Sequence, residues 1–385
     1  MSGRLRIALL AHSTNPRGGV VHALELGDAL TRLGHDVVVH APDPSGAGFF
    51  RPTLCGTVSV PASPAGSDIT EMVRVRAADY VRHFEKKGHR DFDVFHAQDG
   101  ISGNALATLK ERGLIGPFAR TVHHIDLFGH APLEALQRRA IIAADRHFVV
   151  SQVWRDTLAR DYGLEAAIVG NGVNLQHFSP LPDGREAGLR ARLGLGDGPI
   201  VLSVGGVESR KNTVRILSAF TQLHALHPGA QLVIAGGATL LDHHEYAQEF
   251  SNARFLSGLP EHAVIRTGPL PHADMPALYR LADVLAFASV KEGFGLVVLE
   301  AMASAIPCVV SRIAPFTEHL REEEVVWCKP LSVASIANAL VIALKPDLRA
   351  RLARLGPAAA ARHDWDATAR AHVTTYQRLR EPAHA

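Results

Sequence analysis

Ile200-Val201-Leu202-Ser203-Val204-Gly205-Gly206-Val207-Glu208-Ser209-Arg210-Lys211-Asn212-Thr213 decides the fold of this chain. The run from Ile200 to Val204 reads as a strand, the glycine pair opens a turn, and Thr213 to Leu226 has helical character until Pro228-Gly229 ends it. Gln231 to Ala235 is strand-like again, completing a βαβ unit. The same order stands at the other end of the sequence: Arg6 to Ala11 as strand, Val20 to Leu33 as a helix closed by Gly34, and Asp36 to His40 as strand. The architecture therefore starts twice. Between the two starts, Val94 to His96, Arg120 to His123 and His147 to Val150 read as further strands, separated by helical stretches such as Pro132 to Ala144. Alternation of this kind predicts parallel sheets covered by helices, hence an α/β protein of two Rossmann-like domains. The turn-rich segment Asn171 to Gly184, with Pro180 and Pro182, suits the hinge between them. The expected division is residues 1–178, residues 179–365, and a last helix within 366–385 that packs back across the boundary. Ligands of such sheets sit beyond the carboxyl ends of the strands, so two facing sheets would enclose a donor and an acceptor in a central cleft.

Composition narrows the partners. With 385 residues, 47% hydrophobic and 20% charged, the chain can bury two ordinary cores. A formal net charge of +2 and 6% aromatic residues argue against nucleic acid as the main ligand. Cys55, Cys308 and Cys328 are too few and too far apart for a disulfide framework or a Cys-x-x-Cys metal site, which fits a reducing cytoplasm. The apolar run Ile7 to Ala11 is too short for a signal peptide, and no stretch approaches the ~20 apolar residues of a membrane span. A soluble, cytoplasmic protein is expected. Among 22 histidines, the pair His243-His244 lacks a third ligand at any metal-binding spacing. Asp91-Phe92-Asp93 resembles a metal-binding Asp-x-Asp only superficially, because it leads into a strand. No metal and no cofactor are expected.

Three loops carry the chemistry. Lys291-Glu292-Gly293-Phe294-Gly295-Leu296-Val297-Val298-Leu299-Glu300-Ala301-Met302-Ala303 brackets an apolar helix with glycines. Glu292 then lies on the entry loop and Glu300 inside the helix, ~7.5 Å further along its axis. Backbone amides at such a helix start form an anion site. Arg210 and Lys211 precede the helix at Thr213, where cations oppose the helix dipole unless an anion is present, which points to a diphosphate. In the first half, Ala11 to Val20 ends in Gly18-Gly19, a loop whose glycines let backbone approach a ligand at the start of the next helix. Thr121-Val122-His123-His124-Ile125-Asp126 follows a strand and offers imidazoles for a sugar hydroxyl or an acceptor.

Together these residues resemble glycosyltransferase family 4, the group 1 glycosyltransferases of GT-B fold, over nearly the whole chain. The resemblance runs through Gly18-Gly19, Thr121 with His123, Asp145 with Ser151, Asn171 to Asn174, Lys211-Asn212, Gly268, Tyr279 with Ala282-Asp283, Glu292 to Ala303, and Pro307. It implies a retaining hexosyltransferase that moves a sugar from a nucleotide diphosphate to a hydroxyl without metal, UDP being the common carrier. It assigns the donor sugar to Glu292, the donor ribose to Glu300 and the diphosphate to Lys211. Glu292, His123 and Lys211 are the catalytic candidates. Gly18, Gly19, Arg210, Gly268, Gly293, Phe294, Gly295 and Leu296 join Lys211 and Glu300 as donor-binding candidates. Where the family commonly has Gly-Arg, which helps bind diphosphate, this chain has Gly205-Gly206; either Arg210, four residues later, compensates or the leaving group is held less tightly, and Ala305-Ile306-Pro307 likewise lacks the usual glycine.

The acceptor is expected to be small and soluble, with His124, Asp126 and Arg82 on its side. Residues 1–170 hold 19 Lys plus Arg against 18 Asp plus Glu, so no broad basic surface awaits anionic lipid. The basic segment Arg74 to Arg90 is the one candidate for a membrane contact, and its interleaved acids suit a solvated helix better. Two alternatives stay open: a sugar phosphorylase of the same fold, and a sugar-nucleotide binder without catalysis.

Overall fold

The computed structural model describes residues 3–237 and 244–380. They form two compact units, one of residues through Gly172 together with those from Asp364 onward, the other Val173–His363. In the first unit the strands are β1 (Arg6–Leu10), β2 (Asp36–Asp43), β3 (Gly56–Pro61), β4 (Val94–Ala97), β5 (Ala119–Val122), β6 (Arg146–Val149) and β7 (Ala167–Ile168). They lie in the order β3-β2-β1-β4-β5-β6-β7, every neighbouring pair parallel. The second unit repeats the plan with β8 (Ile200–Val204), β9 (Gln231–Ala235), β10 (Val264–Gly268), β11 (Val284–Phe287), β12 (Cys308–Ser311) and β13 (Val326–Cys328). Their order is β10-β9-β8-β11-β12-β13, again parallel throughout.

Helices on both faces explain why the central strands carry unbroken apolar runs instead of alternation. Every residue of β9 and of β11 is buried. In the second unit Val201, Leu232, Ile234 and Val284 from the sheet pack with Ile216, Phe220 and Leu223 from the helix Thr213–Leu226. In the first, Ala8, Leu10 and Phe95 pack with Tyr80 and Phe84 from the helix Ile69–Glu85. The Tyr80 hydroxyl, fully buried, lies 2.6 Å from the Ala11 carbonyl and 2.7 Å from that of His40. It thereby ties this helix to the end of β1 and the middle of β2. Each sheet reverses its winding once, between β1 and β4 and between β8 and β11. Loops leaving those strands at their carboxyl ends splay apart, and that is where an open α/β sheet makes a crevice.

The units divide after Gly172 and after His363, where the sequence placed the breaks after 178 and 365. Residues 173–178 stay with the second unit because Phe178 packs edge-on against Tyr279, 5.7 Å between ring centroids, and His177 stacks on His272 at 4.2 Å. The last helix runs Trp365–Arg380, beginning one residue before the expected stretch, and lies on the first unit. Its Trp365 meets His22 at 5.4 Å, Arg32 donates to Asp366 at 2.6 Å, and Tyr376 and the His96 ring share a hydrogen bond of 2.6 Å. Only glycine fits at 172, since a Cβ there would stand 2.4 Å from the Trp365 backbone nitrogen. The histidine pair His243-His244 lies outside the described residues, His244 in its side chain. Among the described residues no helix is long and apolar enough to cross a membrane.

The helix Pro346–Ala360 packs on the helix Leu296–Ala303 through Gly356, where a Cβ would come within 2.7 Å of the Met302 carbonyl oxygen. Alanine for glycine within a helix ordinarily stabilises by about 1 kcal/mol. Here overpacking against backbone, typically ~1–3 kcal/mol, opposes and exceeds it. Gly356→Ala is therefore expected to lower the melting temperature, and a rise would show that the two helices separate without cost.

Candidate functional site

The winding reversal of the second sheet brings two loops together, residues 205–212 after β8 and 288–295 after β11. Asn212 fastens them. Held in the left-handed region at φ 62° and buried, it donates from Nδ2 to the Ala288 carbonyl at 2.9 Å and to that of Pro330 at 2.7 Å. The Val290 amide donates in turn to the Arg210 carbonyl at 2.9 Å. Lys211 and Glu292, 81 residues apart, meet because of these bonds: Nζ lies 2.7 Å from Oε1, with Arg210 Nη1 2.9 Å from Oε2.

Glu292 is buried, at 7% exposed, and the Lys211 side chain nearly so, while the Arg210 side chain keeps 31% of its surface open. Burial alone would raise the Glu292 carboxyl, but Lys211 and Arg210 beside it hold it down to about 2. Lys211 itself is pulled below the ordinary lysine range by burial, with Glu292 opposing. Its ammonium also stands 4.5 Å from the centroid of the Phe287 ring. One carboxylate thus bridges two cations at the mouth of a parallel sheet, and Glu208 stands 3.5 Å from Arg210 as a second. A group with two negative oxygens could take its place.

Gly293, Phe294 and Gly295 carry the chain from Glu292 into the helix Leu296–Ala303. Gly295, at φ 101°, is its N-cap and supplies no side-chain cap, while its carbonyl takes the Val298 amide at 3.0 Å. Inside this helix Glu300 Oε2 accepts a 2.7 Å hydrogen bond from the hydroxyl of Tyr279, a fully buried residue of the helix Met275–Leu281. The structure thus gives the two carboxylates different partners. Gly205 and Gly206, at φ 126° and 76°, have neighbours where side chains would be, Lys211 Cε at 2.7 Å and the Gly237 carbonyl oxygen at 2.8 Å. Gly236 and Gly268 complete this glycine-lined rim at the ends of β9 and β10, the Gly236 amide donating to the Gly268 carbonyl at 3.1 Å. Gly236, Gly237 and the orienting role of Tyr279 escaped the sequence reading. Gly236-Gly237 after an apolar strand was the available signal; nothing local announces that Tyr279 faces Glu300.

In the first unit a second group gathers at the ends of β1, β4 and β5. Gly18 and Gly19 do not form a loop, as the sequence suggested, but the first turn of the helix Gly18–Arg32, whose N-cap Arg17 makes no side-chain cap. Helical geometry extends over them because nothing forces a left-handed turn here. A Cβ on Gly19 would face His123 Cδ2 at 3.8 Å. His123 Nε2 pairs with Gln98 Oε1 at 3.2 Å, and its ring meets His22 at 4.7 Å. His124 Nε2 lies 3.1 Å from Asp126 Oδ2, while Gln137 grips the Asp126 backbone from both sides, at 3.0 and 2.9 Å. His12, not singled out in the sequence, stands 3.8 Å from Asp99. Burial holds His123 well below the ordinary histidine range and brings His22 to about 4, so both are neutral imidazoles at neutral pH. Such rings both donate to and accept from hydroxyls. Arg82 is not brought into this group by any described contact; it pairs with Asp79 and donates to Ser63 Oγ at 2.6 Å. Among the described residues there is no cluster of three or more His, Cys, Asp or Glu suited to a metal ion.

Known proteins fall into line with this architecture. The model of the group 1 glycosyl transferases matches residues 188–362 and that of glycosyltransferase family 4 matches residues 16–177. A D-inositol 3-phosphate glycosyltransferase of Xylanimonas cellulosilytica is 28% identical over 98% of each chain. A phosphatidyl-myo-inositol mannosyltransferase of Mycobacterium tuberculosis is 28% identical over 97% of each chain. Among solved structures, sucrose-phosphate synthase from Thermosynechococcus elongatus superposes with a TM-score of 0.79 at 21% identity, over 98% of this chain and 99% of that one. HepE of Anabaena, in complex with UDP and glucose, gives 0.77 at 18% identity, over 97% and 100%. With both halves matched and two Rossmann-like units as in GT-B proteins, the chain belongs to the family 4, group 1 glycosyltransferases and is a glycosyltransferase.

Proposed function

We propose that this enzyme transfers a sugar from a UDP-linked donor to a hydroxyl of a small polyhydroxylated acceptor, with retention at the anomeric carbon. The observation that carries the reading is the Lys211–Glu292–Arg210 cluster at the winding reversal of the second sheet. The donor diphosphate takes over Lys211 and Arg210 and reaches the backbone amides at the start of the helix Leu296–Ala303, which stabilise the charge that grows on the leaving group. Glu292, released from its cations, turns to the donor sugar, and Glu300, oriented by Tyr279, takes the ribose hydroxyls. A relative of the same fold holds UDP and glucose, and relatives along the whole chain carry inositol-based names, which supports both the nucleotide and a polyol acceptor. His123 and His124 are the groups assigned to hydroxyl recognition in the first unit.

Three outcomes follow. By titration calorimetry, Lys211→Ala is expected to weaken UDP binding by ~1.5–3 kcal/mol, as loss of a charged hydrogen bond does. Glu300→Gln should also weaken it. Glu292→Gln should leave UDP affinity unchanged or higher, because it frees both cations, while turnover collapses. A Glu292→Gln variant that loses more UDP affinity than Glu300→Gln would reverse the two assignments.

Acid sensitivity gives the second. Glu292 drops from the ordinary carboxylic range in the unfolded chain to about 2 in the folded one, so its stabilisation is complete above that range and is lost as pH falls towards 2. The decline in melting temperature below about pH 5 should be shallower in Glu292→Gln than in the parent. Parallel declines would mean that the cluster does not couple to folding.

The third concerns metals. Lys211 and Arg210 already supply two positive charges at the diphosphate site, so transfer should persist in excess EDTA. Complete loss, restored by Mg²⁺ or Mn²⁺, would require a metal clamp instead.

A further inference from the structure

After β12 the chain turns into a short helix, Phe316–His319, and two of its rings close on the loop between Glu292 and the helix of Glu300. The Phe316 ring stands where a side chain on Gly295 would be, its Cε1 2.3 Å from the position of a Cβ. His319 stacks face to face on Phe294, with ring centroids 4.3 Å apart and planes 3° from parallel. His363 meets both rings edge-on, at 5.8 Å from Phe294 and 5.4 Å from His319. Phe316 continues the row to Phe287 at 5.8 Å, and over that ring lies the Lys211 ammonium. A row of rings thus runs from the donor-site cation to the tip of the glycine loop.

Both nitrogens of His319 are buried, and the polar contact of the ring is with the Pro315 backbone. What the imidazole supplies to Phe294 is a flat face. Burial keeps it uncharged, lowering it to about 3, so the stack holds through the neutral range. The loop needs such support. Gly293 and Gly295 flank Phe294, and glycine loses more conformational freedom on ordering than any other residue. Glu292 precedes this loop and the anion-binding amides follow it. Any slack between the glycines is passed to both, and sites misplaced by ~1 Å bind and react poorly.

We infer that His319 is a positioning residue for the donor site, fixing the Gly293-Phe294-Gly295 loop by stacking on Phe294; the inference rests on the donor-site reading given above. The test uses the full chain and compares His319→Ala, His319→Leu and His319→Phe. Hydrogen exchange at residues 293–296 of the ligand-free protein reads the loop directly. Titration with UDP and the split between kcat and donor KM read its consequence.

In His319→Ala, exchange across these amides should quicken ~10-fold or more. The UDP Kd and the donor KM should rise together ~5- to 20-fold, kcat changing less. His319→Leu, which fills the volume without a ring face, should behave the same way and covers the case in which the alanine variant does not fold. His319→Phe should restore exchange and affinity to within ~2-fold of the parent and should not lower the melting temperature, since the ring face is kept and the Pro315 carbonyl still takes the Glu318 amide at 3.0 Å. Unchanged exchange in His319→Leu, or a His319→Phe variant as loose as His319→Leu, overturns the inference. If the exchange pattern appears but the parent protein binds no UDP, the loop clamp stands and the choice of nucleotide falls.

Discussion

The loops of the second unit are arranged around a buried carboxylate that holds a nearly buried lysine and a partly exposed arginine. Removing a charge from solvent costs several kcal/mol even after relaxation, and a buried pair recovers this only with close geometry and with hydrogen bonds on its remaining atoms. Lys211, Arg210 and Glu292 meet the first condition, at 2.7 and 2.9 Å. Glu292 touches both cations, and Glu208, 3.5 Å from Arg210 Nη2, adds a second carboxylate beside the arginine. The loops are fixed accordingly. The Asn212 bridge to Ala288 and the Val290–Arg210 backbone bond keep two segments from different strands within contact distance. Loosening either would leave buried charge without its partner, the most expensive defect a protein interior can carry.

Glu292 and Glu300 share a helix and its entry loop but are held by different physics. Glu292 is bound by Coulomb attraction from Lys211 and Arg210, which any competing anion can claim. Glu300 is bound by a neutral phenol that no anion displaces, the buried Tyr279 hydroxyl. The first carboxylate is therefore exchangeable and the second permanent. That difference suits one to a group that changes during a reaction and the other to a group that is merely recognised.

Much of this was legible from residue order, and the reasons for the rest are specific. The strands at Arg6, Asp36, Ile200 and Gln231 announced themselves because parallel, doubly covered strands are continuous apolar runs, and Gly34 and Pro228-Gly229 marked the helix ends. Lys211 and Glu292 were legible as chemistry, since each stands at a strand–helix junction. That they touch was not, because contact depends on strand order, and the reversal between β8 and β11 has no local signature. Gly18-Gly19 misled for a physical reason: glycine permits a loop without requiring one, and here the chain is helical through both. The domain limits moved by a few residues because ring packing of His177 and Phe178, not the prolines after them, decides which side the segment joins. The ring pair at Phe294 and His319 lay beyond reach, since stacking across 25 residues has no periodicity.

The last helix has a consequence for how the protein comes into being. Because Trp365–Arg380 lies on the first unit, that unit is written in two separate pieces of the gene, with the whole of Val173–His363 inserted between them. The insertion begins and ends at one point, where the Val173 amide donates to the His363 carbonyl at 3.1 Å. On a ribosome working from the N-terminus, the inserted unit is complete and free to fold while the unit begun first still lacks the side chains of Trp365, His372 and Tyr376 that bury its histidines. The order of synthesis and the order of completion are thus opposite for the two halves. Until the residues of Trp365–Arg380 emerge, the nascent chain carries a complete second unit beside an incomplete first one.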